Sequence, residues 1–130
     1  MGETVFSLSQ KGWGKLHEAS IAQSLLDIVI ETASENKAKF VKSVKIDIGR
    51  LAAIENDALM FAFDALKEGT IAENARLYIN DVPIVGRCNV CSFDSEYESF
   101  DFCCKNCGSY DVILISGEEL NIKEIEVEDE

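Results

Sequence analysis

Cys88-Asn89-Val90-Cys91, then twelve residues, then Cys104-Lys105-Asn106-Cys107: the rest of the chain is read outward from this stretch. Each Cys-x-x-Cys pair places two sulfurs on one side of a tight turn. Two such knuckles joined by a hook can set four thiolates at the corners of a tetrahedron. Zn²⁺ suits that site, being borderline-soft and having no d-electron geometry of its own to satisfy. One Cys-x-x-Cys alone would be a weak signal; the paired spacing is a strong one, against the competing reading of two disulfides. Four protein ligands close the cage, so the expected metal is structural and the protein's chemistry is to be sought elsewhere. Cys103 adjoins Cys104 and could compete with it as a ligand. The Cys-x-x-Cys register favours Cys104 and leaves Cys103 as a small, partly buried spare thiol.

A chain of 130 residues holds one ordinary domain, or a small one carrying a smaller metal-stapled module. No apolar run approaches the ~20 residues that span a bilayer. The first residues lack the basic head and apolar stretch of a signal peptide. Knuckle thiols with an odd fifth cysteine fit a reducing cytoplasm. The net charge is −12, and four thiolates around one dication add about −2 more. Nucleic-acid phosphates and anionic lipid repel such a chain, which sets aside both nucleic acid and membrane as partners.

Residues 1–15 show no helical or strand period, and Gly12 and Gly14 around Trp13 suit a flexible leader. His17 to Asn36 reads as a helix. Ile21, Leu25, Ile28, Val29 and Thr32 form one apolar stripe, with Ala22, Leu26 and Ile30 beside it, so a sheet and a second helix should cover it. Val41 to Gly49 alternates, Val44, Ile46 and Ile48 against Lys45 and Asp47, as a half-buried strand does. Asn56 or Asp57 can cap a second helix running to about Lys67, buried through Leu59, Ala62, Phe63 and Leu66, with Gly69 as its left-handed stop. Ala75 to Pro83 is a second strand.

A metal module then spans about Ile84 to Ile115, its hook carrying Phe93, Tyr97, Phe100 and Phe102 as expected shields of the metal. Leu120, Ile122, Ile125 and Val127 change parity between Ile122 and Ile125, which predicts a strand with an irregularity near Lys123-Glu124. That strand should return to the first domain, making the metal module an insertion. The expected fold class is α+β: two helices on a three-stranded mixed sheet with an inserted, small, zinc-ribbon-like four-cysteine domain. The expected division is a leader at 1–15, one domain of 16–83 with 116–130, and the metal domain at 84–115.

The single histidine, His17, stands at the mouth of the first helix, followed by Glu18. A lone histidine there is ordinarily bland. If residue 16 is the first of the chain, the terminal amine, the amide nitrogen of His17 and its imidazole form fused chelate rings around one metal. Glu18 can add a fourth donor from its amide or its carboxylate. Planar nitrogen ligation is what Ni²⁺ or Cu²⁺ prefers.

From Leu16 onward the chain resembles the HypA/HybF family, the nickel-incorporation proteins of NiFe hydrogenase maturation. The likeness rests on Leu16-His17-Glu18-Ala19-Ser20-Ile21-Ala22-Gln23-Ser24-Leu25, Lys45-Ile46-Asp47-Ile48-Gly49, Phe61-Ala62-Phe63 and Gly69-Thr70-Ile71-Ala72-Glu73-Asn74-Ala75. It continues in Cys104-Lys105-Asn106-Cys107-Gly108-Ser109 and Ser116-Gly117-Glu118-Glu119-Leu120-Asn121-Ile122-Lys123. The resemblance implies a nickel domain of two helices on three strands, with a zinc domain inserted before the last strand. It implies Ni²⁺ as cargo, bound at His17 and Glu18 with the backbone of Leu16, and structural Zn²⁺ on Cys88, Cys91, Cys104 and Cys107. It also implies a non-enzymatic metallochaperone that works with a HypB-type GTPase and the hydrogenase large subunit. Urease maturation proteins are further partners where members also serve urease, and a homodimer is compatible with it.

The family motif begins Met-His-Glu, whereas here Leu16 stands behind fifteen residues. A leader displaces the terminal amine and removes a donor. Trp13-Gly14 can be encoded only with four consecutive guanines, among purine-only Lys codons; that resembles a ribosome-binding site read as protein. The expectation is that Leu16 is a UUG start codon. Two other classes fit the knuckles alone: an electron carrier with iron in the cage, and a dithiol redox enzyme. The second lacks the usual strand-to-helix setting, and metal-bound thiolates are poor nucleophiles. Intact-mass measurement of the native protein is expected to give a chain without residues 1–15; a mass that includes them contradicts the start-codon reading.

Overall fold

The computed structural model describes residues 3–6, as backbone, and residues 18–129. Glu3–Phe6 form a short strand, β1. Helix α1 spans Glu18–Glu35 and buries Ile21, Ala22, Leu25, Leu26, Val29 and Ala33, the broad apolar arc its three- and four-residue spacing dictates. At its end the Asn36 side-chain amide donates back to the Thr32 carbonyl at 2.8 Å.

Strand β2, Phe40–Gly49, buries Val44, Ile46 and Ile48 and turns Lys45 outward. Helix α2, Asn56–Leu66, buries Leu59 and Phe63. Leu66, expected on that face, is the helix's last residue and is exposed. Strand β3, Arg76–Val82, is followed by β4, Ile84–Cys88, β5, Asp94–Tyr97, β6, Val112–Ser116, and β7, Leu120–Glu128.

The first sheet has the order β1-β7-β2-β3. β2 and β3 are parallel, and β7 is antiparallel to β2. These three strands are the expected mixed sheet. Both helices cover one face, closing a core that includes Ile21, Leu25, Val44, Ile46, Phe63, Ile122 and Ile125. The other face is polar: Lys45 pairs with Glu124 at 3.3 Å and the Asn80 amide donates to Asp47 at 3.0 Å.

Strand β1 corrects the reading of a flexible leader at residues 3–6; the rest of the stretch 1–15 lies outside the described residues. It lies antiparallel along the outer edge of β7, with Thr4 opposite Val127 and Phe6 opposite Ile125. The edge of β7 offers unpaired N–H and C=O groups that any extended segment can satisfy. Pairing of that kind needs no side-chain pattern, which is why none announces it.

β7 keeps Leu120, Ile122, Ile125 and Val127 on the core side despite their change of parity. The register slips opposite Lys45 and Ile46, which pair with Glu124 and Ile122 and leave Lys123 as the extra residue. This is the predicted irregularity, a bulge that restores the apolar phase. A second slip between Val41 and Ser43 makes Lys42 the extra residue of β2. It puts Ser43 among buried groups, where its hydroxyl donates to Glu126 at 3.2 Å.

Between β3 and β7 in the chain lies a separate antiparallel sheet of order β5-β4-β6. Entry and exit run side by side: the Ser116 hydroxyl donates to the Pro83 carbonyl at 2.7 Å. Leu51 N–H donates to the Gly117 carbonyl at 2.8 Å, and Gly49 N–H donates to the Glu119 carbonyl at 2.7 Å. A Cβ on Gly49 would overlap the Gly117 carbonyl, which is backbone and cannot swing away. Gly49→Ala is therefore expected to lower unfolding free energy by about 2–3 kcal/mol, the scale of overpacking, measured by urea denaturation. A change under ~0.5 kcal/mol, the scale of a surface substitution, would contradict this crossing.

Candidate metal centre

The two knuckles are built alike. Cys88 N–H donates to the Phe93 carbonyl and Ser92 N–H returns to the Cys88 carbonyl, at 3.0 and 2.9 Å. Sixteen residues later Cys104 N–H donates to Ser109 and Gly108 N–H returns to Cys104, at 2.7 and 2.9 Å. The residue after each knuckle takes positive φ, 65° at Ser92 and 80° at Gly108, as expected for Gly108 and unannounced for Ser92. Amides converge on the first sulfur of each pair: Val90 and Cys91 on Cys88 Sγ, at 3.3 and 3.5 Å, and Asn106 and Cys107 on Cys104 Sγ, both at 3.4 Å.

The four sulfurs come together as the spacing predicts. Cys88 and Cys107 lie 3.6 Å apart, Cys91 and Cys104 3.5 Å, and the ligand atoms of all four fall within 4.8 Å of one another. A tetrahedral ion with metal–sulfur bonds of about 2.3 Å needs sulfur–sulfur edges of about 3.8 Å, so the donor set fits one such dication.

Donated hydrogen bonds tune the thiols. The amides of Cys91 and Val90 hold Cys88 below the ordinary thiol range, despite burial. The Asn106 side chain, 3.6 Å from Cys91 Sγ, lowers Cys91. The amides of Cys107 and Asn106 lower Cys104. Cys107 receives a lowering contribution from the Ser109 amide, but its sulfur neighbours and burial push it up to about 12. Four adjacent thiolates repel, which opposes full ionisation of the set until a cation binds.

Tyr97 donates its hydroxyl to the Cys103 carbonyl at 3.0 Å and meets Phe102 edge-on at 5.2 Å. Lys105 N–H donates to the buried Ser95 hydroxyl at 3.3 Å, tying the second knuckle to β5. The aromatic shield is thus Tyr97 and Phe102; Phe93 and Phe100 are exposed, contrary to expectation. Cys103 stands outside the sulfur set and donates to the Gly108 carbonyl at 3.4 Å. Asn106 was missed as a functional residue. An amide side chain between two ligand cysteines was the available signal.

Of the residues expected to hold nickel, Leu16 and His17 lie outside the described residues. Glu18 opens α1, half-buried, and its carboxylate accepts from Glu55 N–H at 3.1 Å. Among the described residues no helix is long and apolar enough to cross a membrane.

A helix-covered mixed sheet that carries a closed four-thiol module before its last strand defines a metal-binding α+β protein. Residues 16–127 match the family model described as HypA, hydrogenase/urease nickel incorporation, metallochaperone, and the chain belongs to that family. It is similar to the hydrogenase maturation factor HypA of Rhizobium leguminosarum bv. viciae, 39% identical over 112 residues, covering 86% of this chain and 99% of that one. It is also similar to the HypA of Nostoc punctiforme, 44% identical over 115 residues, covering 88% and 97%. The solution structure of the Ni metallochaperone HypA from Helicobacter pylori superposes with a TM-score of 0.62 at 28% identity, covering 88% of this chain and all of that one. The protein is a maturation factor, not a catalytic enzyme.

Because the neighbouring sulfurs and burial push Cys107 up, metal binding to the set should release protons, and affinity should fall as pH falls. Titration of the reduced, metal-free chain in two buffers of different ionisation enthalpy is expected to show proton release with one dication per chain. Cys104→Ala should abolish tight binding and Cys103→Ala should leave it unchanged; the reverse pattern contradicts the ligand set.

Proposed function

We propose that this protein binds Ni²⁺ at the Leu16-His17-Glu18 motif and delivers it to the large subunit of NiFe hydrogenase during maturation. His17 gives its imidazole and amide, Glu18 a further donor and Leu16 a backbone nitrogen. The observation that carries the reading is the extent of the family match. It begins at the residue before His17 and ends at residue 127, within β7, and the two relatives above align over 97–99% of their own length. Planar nitrogen donors suit Ni²⁺, whereas four thiolates suit a d¹⁰ ion. The second metal is accordingly Zn²⁺, resident on Cys88, Cys91, Cys104 and Cys107 and structural.

The nickel domain comprises residues 16–83 and 116–130, and the zinc domain residues 84–115. The partners are a HypB-type GTPase and the hydrogenase large subunit, with urease maturation proteins where urease is also a client. The setting is the cytoplasm, where reducing conditions keep the cage thiols and Cys103 reduced. The electron-carrier alternative needs iron in the cage and hence visible colour; the purified protein is expected to be colourless.

Nickel titration of two forms tests the nickel site: the chain from Met1, and a chain beginning with Met in place of Leu16. Tighter binding by the second, by about tenfold or more for one lost donor, is expected. Equal affinities would show that the terminal amine is not a ligand.

A further inference from the structure

Helix α2 lacks a cap of its own. Its N-cap residue, Glu55, has extended backbone, φ −79° and ψ 107°, and makes no side-chain cap bond. Asn56, expected to cap the helix, instead donates its side-chain amide to Asp81 at 2.9 Å. In a capping box the side chain three residues beyond the N-cap returns to the N-cap N–H. Here that residue is Ala58, which has no acceptor. The acceptor comes from 37 positions earlier in the chain: Glu18 Oε2 receives Glu55 N–H at 3.1 Å. Glu18 is the first residue of α1, so one carboxylate lies at the start of both helices. Negative charge is favourable there because the dipoles of both point their positive ends at it.

We infer that Glu18 is a positioning residue: its carboxylate joins the start of α1 to the start of α2 and thereby fixes residue 18, the described end of the proposed nickel motif. This rests on the nickel reading above and deepens it, by assigning the carboxylate a task other than ligation. A chelate built from consecutive residues needs the backbone at residue 18 held in one place. The helix holds that residue from its C-terminal side, and the Glu55 bond holds its side chain. Burial of Ile21 and Leu25 in α1 and of Leu59 and Phe63 in α2 keeps the two helices in the same core.

The test compares Glu18→Gln, which keeps an acceptor oxygen without charge, with Glu18→Ala, which removes both, in the full chain. The readouts are the exchange rate of the Glu55 amide by NMR in the nickel-free protein, and nickel affinity by titration with Ni²⁺. Glu18→Ala is expected to speed Glu55 exchange tenfold or more and weaken nickel binding about tenfold. Glu18→Gln is expected to restore both to within about threefold of the parent. Loss of nickel binding in Glu18→Gln as severe as in Glu18→Ala would make the carboxylate a ligand and overturn the inference. So would equal Glu55 exchange in all three proteins. His17→Ala separates the two readings: it should lose nickel while leaving Glu55 exchange unchanged. Undiminished nickel binding by His17→Ala would sink the nickel assignment without touching the helix-to-helix bond.

Discussion

Strand β7 must come back. The sheet that faces the helices is completed only when the chain, having left it at Val82 and built a second sheet, re-enters beside β2. The return passes so close to the end of β2 that Gly49 and Gly117 meet backbone to backbone. Gly117 also takes φ 125° there, a conformation side chains resist. Carbonyls on the returning segment then receive the amides of Gly49 and Leu51. Exit beside entry is the geometric condition for an insertion: a module joined in this way leaves the host sheet intact. The helix-covered core, with Ile122, Ile125 and Val127 contributed by β7, depends on it.

The inserted module has little apolar interior to fold around. Ile84, Cys88, Tyr97 and Cys104 are its buried apolar residues, with Ser95 beside them. A core of that size does not offset the entropy of ordering some thirty residues. Two knuckles that fix their sulfurs with backbone amides pre-arrange a site whose metal can supply the missing free energy. The same closeness that makes the site fit a dication makes four bare thiolates unfavourable, so metal binding and deprotonation are one event.

Much of this was readable from residue order because period and spacing carry it. Alternation placed Val44, Ile46 and Ile48; the parity change in Ile122 and Ile125 located the bulge at Lys123; paired Cys-x-x-Cys spacing located the sulfur set. What escaped depends on backbone edges or on partners distant in sequence. β1 docks on β7 through main-chain bonds and needs no pattern. The bulge at Lys42 leaves a polar residue, Ser43, buried through a bond to Glu126 that local sequence cannot foretell. The cap of α2 comes from Glu18 on another helix, so Asn56 misled. Spacing in the hook does not tell which aromatics are covered: Tyr97 meets Phe102 and reaches the knuckle, whereas Phe100, edge-on to Phe102, and Phe93 stay exposed.

The proposed function divides the metals by donor chemistry: sulfur would hold a resident ion in a closed cage, and nitrogen donors of the Leu16-His17-Glu18 motif would hold a cargo that must be given up. Glu18, the last residue of that motif, bonds through its carboxylate to Glu55 at the start of α2. X-ray absorption at the zinc and nickel edges of protein carrying both ions tests the division most directly. The account predicts four sulfur neighbours at about 2.3 Å around zinc and only nitrogen and oxygen around nickel; sulfur in the nickel shell would contradict it.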